Sequence, residues 1–368
     1  MSVTLPASIP EGVAWACAPA REMAWSEMDR GREQSPLARH TPFVPRDARL
    51  RRDLASSMPG VRGVFVVAVP FGDGSFEPGR FQLSQSTWGP DYHRILPPII
   101  RGIVAGVMGS EVARSAHVQV DSGPLEERAL ALSVGLGYPG YNASVLVPGV
   151  GPRAFLGLAL THRAPPRVRL VEDSADFHPR CAHCYSCIKA CPTGALVAPG
   201  VVNPLRCLSY LTQKRGILPA ALARKMGGRL YGCDECLRAC HVGRTAAPGG
   251  PFSGRRDDRA PDPREILSAD HAGFRGRWAG KAAFWRGRRV LERNALNALG
   301  CAGDTNASRV LEDFSLHASP VLRATALRSL GFMAQRGLWH NIGPIRRAAD
   351  DDADRVVRAV ARGVLSEM

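Results

Sequence analysis

A dense array of cysteines between residues 181 and 240 restricts this chain more than any other feature of its sequence. Eight of the ten cysteines lie in this stretch, and the fourth of the eight is followed by proline. They are Cys181, Cys184, Cys187, Cys191, Cys207, Cys233, Cys236 and Cys240. Repeated Cys-x-x-Cys turns followed by Cys-Pro are the spacing with which bacterial ferredoxins bind two iron–sulfur clusters. The sequence therefore predicts a ferredoxin-like module with two 4Fe-4S clusters.

The order of the cysteines predicts how they divide between the clusters, because the cysteine before the proline ligates the other cluster. The ligands expected for one cluster are Cys181, Cys184, Cys187 and Cys240. Those expected for the second cluster are Cys191, Cys207, Cys233 and Cys236. His183 lies inside the first turn, and we expect it to pack beside the cluster rather than ligate it. Cys17 and Cys301 stand apart and are expected to be ordinary buried thiols.

Two other kinds of cysteine site match parts of this pattern. Zinc ribbons also use paired Cys-x-x-Cys turns, but a tetrahedral zinc ion rarely needs a third cysteine at the same spacing. A disulfide framework is typical of small secreted chains, whereas this chain has 368 residues and begins without a basic and apolar secretion signal. We therefore favour the iron–sulfur interpretation over both alternatives.

The chain is long enough for two or three domains with cores of their own. Its most apolar run, residues 95–108, contains two prolines and Arg101, and it is too short to span a bilayer. From these features we expect a cytoplasmic protein with no membrane attachment, in a reducing compartment that suits exposed cluster chemistry. We further expect it to be a monomer.

The net charge of +15 is high, and basic residues are concentrated after the start of the cysteine array. One such region is what we call the basic segment, residues 274–293. Its basic residues are Arg275, Arg277, Lys281, Arg286, Arg288, Arg289 and Arg293, against the single acid Glu292. They alternate with the aromatic residues Phe274, Trp278, Phe284 and Trp285. Such a segment is typical of a polyanion partner, and its aromatic rings can stack on bases. The alternative is a solvated face in a protein from an arginine-rich proteome.

The first 165 residues alternate between predicted strands and helices, which favours an α/β sandwich. The strands are expected at 61–70, 117–120, 143–147 and 154–160, and the helices at 89–107 and 125–134. We divide the chain into an irregular segment (1–60), an α/β domain (61–170), the cluster domain (171–250) and a helical domain (264–368). Residues 245–263 are predicted to be a linker.

The last hundred residues contain a repeated helical pattern. RNALNALG (293–300) and RATALRSLG (323–331) align with each other, and RAVARGVL (358–365) is a weaker third copy. The first two copies begin about thirty residues apart, and repeats of that length in Ala- and Leu-rich helices indicate HEAT-like helix pairs. An ordinary helical bundle is the alternative.

Four groups of motifs, spread from about residue 60 onward, resemble the epoxyqueuosine reductase family. They are GPDYHRILP (89–97), VDSGPLEERALALSVGLGYPGYN (120–142), the cysteine array with RCLSYLT (206–212) and YGCDEC (231–236), and KAAFWRGRRVLERNALNALG (281–300). The cluster half is also similar to cobalamin-dependent reductive dehalogenases. The resemblance implies a nitroreductase-like α/β domain that binds base-off cobalamin next to the clusters. It also implies reduction of epoxyqueuosine at the wobble position of a tRNA anticodon to queuosine.

The resemblance assigns roles to individual residues. Asp121 stands at the acid of the family's V-D-[ST]-x-P motif and would donate a proton, for which burial against an apolar corrin face would raise its pKa. The alternative for Asp121 is an N-cap of the following helix. Asn142, Ser209 and Asp234 would contact cobalamin. His93 is expected to be structural, because no glycine follows it at the spacing of histidine-ligated cobalamin.

The partners that the resemblance implies are the tRNA anticodon stem-loop, which the basic segment would bind, and an external electron donor such as a flavodoxin or ferredoxin. At two places the chain departs from the family's motifs, and these differences weaken the assignment of the substrate. The family's G-K-[NH]-T is here Gly140-Tyr141-Asn142-Ala143, and Cys240 is followed by histidine instead of proline. Two other functions therefore stay open: a paralogous reductase or dehalogenase acting on a small electrophile, and a plain two-cluster electron-transfer protein.

Overall fold

The computed structural model describes residues 9–23, 47–72, 80–172, 175–243, 252 and 259–368. These residues belong to two compact units. The first unit contains the described residues up to 72, then 85–207 and 234–252; the second contains 80–84, 208–233 and 259–368. Most of the predicted linker (245–263) and much of the predicted irregular segment (1–60) lie outside the described residues.

The described strands and helices follow one another through both units. The strands are β1 (Ala14–Pro19), β2 (Gly63–Pro70), β3 (Gln82–Leu83), β4 (His117–Gln119), β5 (Tyr138–Pro139), β6 (Val145–Leu146), β7 (Ala154–Thr161), β8 (Leu196–Ala198), β9 (Val201–Val202) and β10 (Arg229–Tyr231). The helices of the first part are α1 (Ala48–Arg52), α2 (Leu54–Ser57), α3 (Tyr92–Met108), α4 (Ser110–Ser115), α5 (Glu127–Ser133), α6 (Ser186–Lys189), α7 (Leu208–Gln213), α8 (Ala220–Met226) and α9 (Glu235–Arg238). Those of the last part are α10 (Pro263–Ser268), α11 (His271–Trp278), α12 (Arg288–Ala302), α13 (Ser308–Phe314), α14 (Pro320–Ala334), α15 (Gly343–Asp351) and α16 (Arg355–Ser366).

A four-stranded antiparallel sheet with the strand order β1-β2-β7-β4 organises the first unit. The continuous apolar run in β2 reflects burial on both faces of this sheet. Val64 and Val66 face a core that includes Leu130 of α5, whereas Phe65 faces the opposite core with Ile100 of α3. Because successive side chains in a strand point to opposite faces, helices on both sides of the sheet require apolar residues at every position.

Two details of the first unit differ from the sequence predictions. The predicted irregular segment includes strand β1, which pairs with β2 from Ala14 opposite Ala68 to Pro19 opposite Gly63. The predicted strand at 143–147 shortens to β6, which pairs with β5 instead of joining the main sheet. Gly137 allows this hairpin to close, because a Cβ atom there would lie 2.6 Å from the Leu146 carbonyl oxygen.

The second unit is mainly helical. Its three long helices α12, α14 and α16 coincide with the three sequence repeats, and α14 packs against both others. The shorter helices α13 and α15 separate them along the chain. The pair β3 and β10 is parallel and completes this unit. Across the described residues of the chain, none of the helices has the length and apolar character that a membrane span requires.

Candidate active site

Asp121 follows strand β4 in a strained backbone conformation. Its φ of +55° lies in the left-handed region, which residues other than glycine rarely adopt. Its side chain is 65% exposed. Helix α5 begins six residues later and has Glu126 as its N-cap, so the alternative role of Asp121 as an N-cap is wrong. A backbone of this kind needs support from the surrounding structure, which the contacts of Asp121 provide.

The carboxylate of Asp121 contacts two groups at the start of helix α3. The Tyr92 hydroxyl donates a hydrogen bond to Asp121 Oδ2 over 2.9 Å. His93 Nε2 lies 3.4 Å from the same oxygen, and its Nδ1 lies 2.7 Å from Asp91 Oδ1. The Tyr92 ring stacks between His93 and Phe155, with centroid distances of 4.1 and 4.2 Å. His93, which we expected to be structural, is thus held between two carboxylates, one of them that of Asp121.

These contacts set the protonation of the pair. The hydrogen bond to Asp121 raises the pKa of His93; burial opposes this shift, and the hydrogen bond and charge of Asp91 support it. The hydrogen bond from His93 in turn lowers the pKa of Asp121, against the effect of burial. In the protein itself, hydrogen bonds to the ionised carboxylate outweigh desolvation, so the pKa of Asp121 is lowered. The raised pKa expected for burial against a corrin face stays a prediction.

Two further side chains hold the loop that carries Asp121. Glu127 Oε1 accepts a hydrogen bond from the Asp121 backbone N–H over 2.6 Å. The Gln119 amide binds Leu125 twice, accepting from its N–H at 3.1 Å and donating to its carbonyl at 2.9 Å. Burial raises the pKa of Glu127 to about 8. Gly123 is required here, because a Cβ atom would lie 2.0 Å from Gln119 Oε1.

The four cysteines expected on the first cluster line one cavity of the first unit, Cys181, Cys184, Cys187 and Cys240. The turns between them are strained: His183 has a φ of +62° and Tyr185 a φ of +51°. Burial raises the pKa of the Cys187 thiol to about 11. These residues fit a cluster that is wrapped by consecutive Cys-x-x-Cys turns.

The cysteines expected on the second cluster are all partly buried. Cys191, Cys207 and Cys236 belong to the first unit, and Cys233 ends a segment of the second. The Cys191 sulfur accepts a hydrogen bond from the Ala195 backbone N–H over 3.1 Å. Backbone N–H groups directed at cysteine sulfur are among the features that tune iron–sulfur sites.

The three residues predicted to contact cobalamin have different surroundings. Asn142 is buried at the cavity of the first four cysteines; its Oδ1 accepts from the Ser144 N–H, and its buried Nδ2 has no hydrogen-bond acceptor within the described residues. Asp234 is also buried, and its Oδ2 accepts from the Gln85 backbone N–H over 2.8 Å. Ser209 lies half-buried in α7 of the second unit. Asn142 therefore has the clearest unused donor for a bound group.

The basic segment is less aromatic at its surface than its sequence suggests. Phe274 and Trp278 are buried, at 2% and 3% exposure, because α11 turns them into the core of the second unit. Trp285 is 50% exposed. Of the four aromatic residues, Trp285 is therefore the one with a large open surface, and the expectation that the whole series could stack on bases is wrong for the two buried rings.

Comparisons with known proteins give the family and the fold of the chain. Residues 180–243 match the family model of a 4Fe-4S double cluster binding domain. The chain is 35% identical to an epoxyqueuosine reductase from Gloeobacter violaceus over 70% of this chain and 82% of that protein. It is 28% identical to one from Bacillus cereus over 90% of this chain and 88% of that protein. A crystal structure of an epoxyqueuosine reductase with an epoxyqueuosine-modified tRNA-Tyr stem loop has a TM-score of 0.82, 24% identity, and coverage of 97% and 94% of the two chains.

A 4Fe-4S double cluster binding domain in a chain that also contains an α/β sheet is typical of an iron–sulfur oxidoreductase. The similarity to the Gloeobacter protein is more specific than this class. The chain belongs to the epoxyqueuosine reductase family.

The division of the cysteines leads to a measurable expectation. Cys187→Ala should reduce the iron content of the reconstituted protein from about eight to about four atoms per chain, because one cluster loses a ligand while the other keeps its four. Iron analysis and electron paramagnetic resonance of the reduced protein measure this change. Cys301→Ser, in the second unit, is the control and should keep the full content. A fall to zero iron in Cys187→Ala would contradict two separately ligated clusters.

Proposed function

We propose that this protein reduces epoxyqueuosine in tRNA to queuosine. Membership of the epoxyqueuosine reductase family and the double-cluster domain support this function. The observation that carries the proposal is the Asp121 carboxylate, which lies within hydrogen-bond distance of the Tyr92 hydroxyl and close to the His93 imidazole. The proposed substrate needs such an acid, because opening an epoxide generates an alkoxide.

The reaction sets the requirements on the site. Converting an epoxide to an alkene breaks two C–O bonds, consumes two electrons and two protons, and releases water. When bound, the clusters supply single electrons, and cobalamin supplies the reducing centre. The residues of the chain have to orient the epoxide and to provide protons where oxygen leaves, a form of general acid catalysis.

Asp121 and His93 share the proton that this step requires. Since the pKa of Asp121 is lowered and that of His93 is raised, a proton held by this pair resides on the imidazole rather than on the carboxylate. We assign to Asp121 the transfer to the leaving oxygen and to His93 the return of a proton to Asp121. Asp91 keeps His93 in position through Nδ1. The two groups therefore act as one coupled acid.

Cobalamin is the cofactor that we propose between this acid and the clusters. The unsatisfied Nδ2 of Asn142 supports a bound group at the cavity lined by the first four cysteines. The exposed carboxylate of Asp121 supports a substrate that approaches it from the solvent. Ser209 and Asp234 stay proposed contacts. We retain Cys181, Cys184, Cys187 and Cys240 for one cluster and Cys191, Cys207, Cys233 and Cys236 for the other.

Several finer predictions go with this proposal. We propose a nitroreductase-like arrangement of the α/β part and HEAT-like pairing of helices α12 to α16. The external electron donor, such as a flavodoxin or ferredoxin, the monomeric state and the cytoplasmic location stay predictions.

The test is mass spectrometry of tRNA nucleosides after incubation of epoxyqueuosine-containing tRNA with the reconstituted, reduced protein. Formation of queuosine that depends on protein, reductant and added cobalamin is the expected result. Unchanged tRNA, together with turnover of a small epoxide or halide, would favour the paralogous reductase. A protein that takes up iron but no corrinoid would be a plain electron carrier.

A further inference from the structure

Three large apolar side chains of the cluster domain are exposed to solvent. Tyr185 is 40% exposed, Val197 49% and Leu205 38%. All three belong to residues 177–207 of the first unit. Exposed apolar residues matter where they adjoin one another, because patches of this kind mark binding surfaces.

Tyr141 connects the surroundings of Tyr185 with those of Val197. The centroids of the Tyr141 and Tyr185 rings lie 5.3 Å apart. The Tyr141 carbonyl accepts a hydrogen bond from the Gly200 N–H over 3.0 Å. Gly200 lies in the turn between β8, which contains Val197, and β9. The β8–β9 hairpin is therefore attached next to the exposed Tyr185.

After β9 the chain returns to the start of the same hairpin. The Asn203 N–H donates to the Ala195 carbonyl over 2.7 Å, and Asn203 Oδ1 accepts from the Leu205 N–H over 3.1 Å. The Arg206 guanidinium lies 3.5 Å from the position that a Cβ atom on Gly194 would take. Leu205 and Arg206 are therefore held beside β8.

The same segment carries positive charge that no acid within it balances. Residues 177–207 contain no Asp or Glu and three basic residues, Arg180, Lys189 and Arg206. All three are exposed, and none of them forms an ion pair with another described residue. Arg180 directly precedes Cys181, and Lys189 ends helix α6. The positive charge therefore lies beside the cysteines expected on the first cluster.

The combination of aliphatic and basic groups favours a protein partner over RNA. Protein–protein interfaces have an apolar centre and a polar rim, whereas interfaces with nucleic acids are more polar and much more positively charged. Val197 and Leu205 are aliphatic and offer no ring on which a base could stack. The basic residues call for an acidic surface on the partner, because complementary charge steers the encounter.

Tyr185 brings this surface next to the site of the first cluster. It follows Cys184 directly and lines the same cavity as Cys181 and Cys187. A protein that docks on the Tyr185 ring therefore comes close to those sulfurs. Electron-transfer proteins bind weakly and bury less than about 1,200 Å² in total, so a surface of three apolar and three basic side chains is large enough.

We propose that this surface docks an acidic one-electron carrier protein, which reduces the first cluster there. We call the surface the cluster face, and it consists of Arg180, Tyr185, Lys189, Val197, Leu205 and Arg206. In each encounter the reduced carrier loses one electron and the first cluster gains it. Two encounters supply the two electrons that reduction of one epoxide consumes. The inference rests on the proposed function for the use of these electrons.

The experiment compares two double variants of the full reconstituted chain that remove the same charge. Arg180→Gln with Lys189→Gln alters the cluster face; Arg114→Gln with Arg163→Gln alters two exposed arginines elsewhere in the first unit. The probes are a flavodoxin and a ferredoxin, both of net negative charge. Fluorescence anisotropy of the labelled carrier measures binding, and stopped-flow absorbance measures reduction of the clusters by the reduced carrier without tRNA.

At low salt, the cluster-face double variant should bind the carrier about tenfold more weakly and be reduced by it about tenfold more slowly. The difference from the wild type should shrink as salt screens the charges. The other double variant should behave as the wild type does. Reduced methyl viologen, a small cation that needs no docking surface, should reduce both variants no more slowly than the wild type. Equal iron content shows that the clusters are intact.

Val197→Ser tests the apolar part of the cluster face. The substitution removes apolar area and no charge, so it should weaken carrier binding about threefold or more. Because this loss is not electrostatic, it should be the same at low and high salt. An effect of Val197→Ser that disappears at high salt would contradict an apolar contact at this position.

Equal carrier affinities of the two double variants would overturn the proposal, and so would a wild type that binds neither carrier. If the cluster-face variant loses affinity for a stem-loop RNA and keeps its affinity for the carriers, the surface binds RNA and the proposal is overturned. Lys189→Gln alone serves if the double variant does not take up both clusters.

The outcome for the proposed function is separate, because docking is measured without tRNA. A wild type that takes electrons from the carrier at the cluster face and leaves epoxyqueuosine unreduced would overturn the proposed function and keep this inference. Formation of queuosine with a chemical reductant, by a chain that binds neither carrier, would keep the proposed function and overturn this inference.

Discussion

Asp121→Asn is expected to retain both clusters and its loop conformation while losing roughly 10²- to 10⁴-fold in the rate of epoxide reduction. Asparagine has nearly the same shape and also tolerates the left-handed backbone that Asp121 adopts, with φ +55°. It can accept the hydrogen bond from the Tyr92 hydroxyl. It cannot pass a proton to a leaving oxygen, so the chemical step should fail while binding persists.

Single-turnover reduction of epoxyqueuosine-containing tRNA by the pre-reduced protein measures this loss. Iron content and melting temperature, determined on the same samples, show whether the variant is folded and loaded. Asp53→Asn is a matched control, since Asp53 is a carboxylate of the same unit that caps helix α2 by accepting from Ala55 N–H. Full activity in Asp121→Asn would remove this carboxylate from the mechanism.

The strands that carry the site could be predicted because their apolar runs are long. Strands β2 and β7 each have eight residues and are almost entirely buried. Strand β1 was missed because its sequence, AWACAP, consists mostly of small residues with weak strand propensity, and only its pairing with β2 selects an extended conformation. Tertiary context of this kind is not visible in a local pattern.

The site was predicted in part. A motif identified Asp121, and cysteine spacing grouped the four cysteines that line one cavity of the first unit. The contact of His93 with Asp121 joins residues 28 positions apart and depends on where the start of α3 lies relative to the end of β4. The lowered pKa of Asp121 follows from that contact, and no local sequence pattern reveals it.

Two further features could not be predicted from the sequence: the positive φ of Asp121 and the hydrogen bond between its backbone N–H and Glu127. Glu127 lies in the first turn of α5, where an acid would ordinarily complement the helix dipole. Its carboxylate instead reaches back six residues to the loop. The sequence does carry one sign of this loop. Gly123 lies between Asp121 and the start of α5, and a glycine in a short loop often marks a place where another group comes close to the backbone.

The rate of reduction is expected to fall as pH rises through the pKa of His93. The hydrogen bond with Asp121 raises that pKa above the usual value of 6.5. The protonated imidazole therefore predominates below this pKa and is lost above it, which removes the proton that Asp121 has to receive. His93→Gln should lose roughly 10²-fold in rate and should no longer show this alkaline fall.

Asp91→Asn tests the coupling between His93 and Asp121 with a smaller change, because both of these residues are kept. Asparagine can still accept from the His93 backbone N–H, which the Asp91 carboxylate now caps at 3.1 Å. It removes the negative charge that helps to raise the pKa of His93. The alkaline fall should therefore move to lower pH in Asp91→Asn and stay in place in Asp53→Asn. A pH–rate profile of single-turnover reduction measures both.

Titration of Glu127 would also make the rate fall at alkaline pH, because burial raises its pKa to about 8 and it faces Asp121. Glu127→Gln separates the two: glutamine keeps an acceptor for the Asp121 N–H but cannot titrate. If His93 stores the proton, Glu127→Gln retains the alkaline fall and His93→Gln loses it. The reverse result, a profile that flattens in Glu127→Gln and survives in His93→Gln, would place the stored proton on Glu127 and reduce His93 to a support for Asp121.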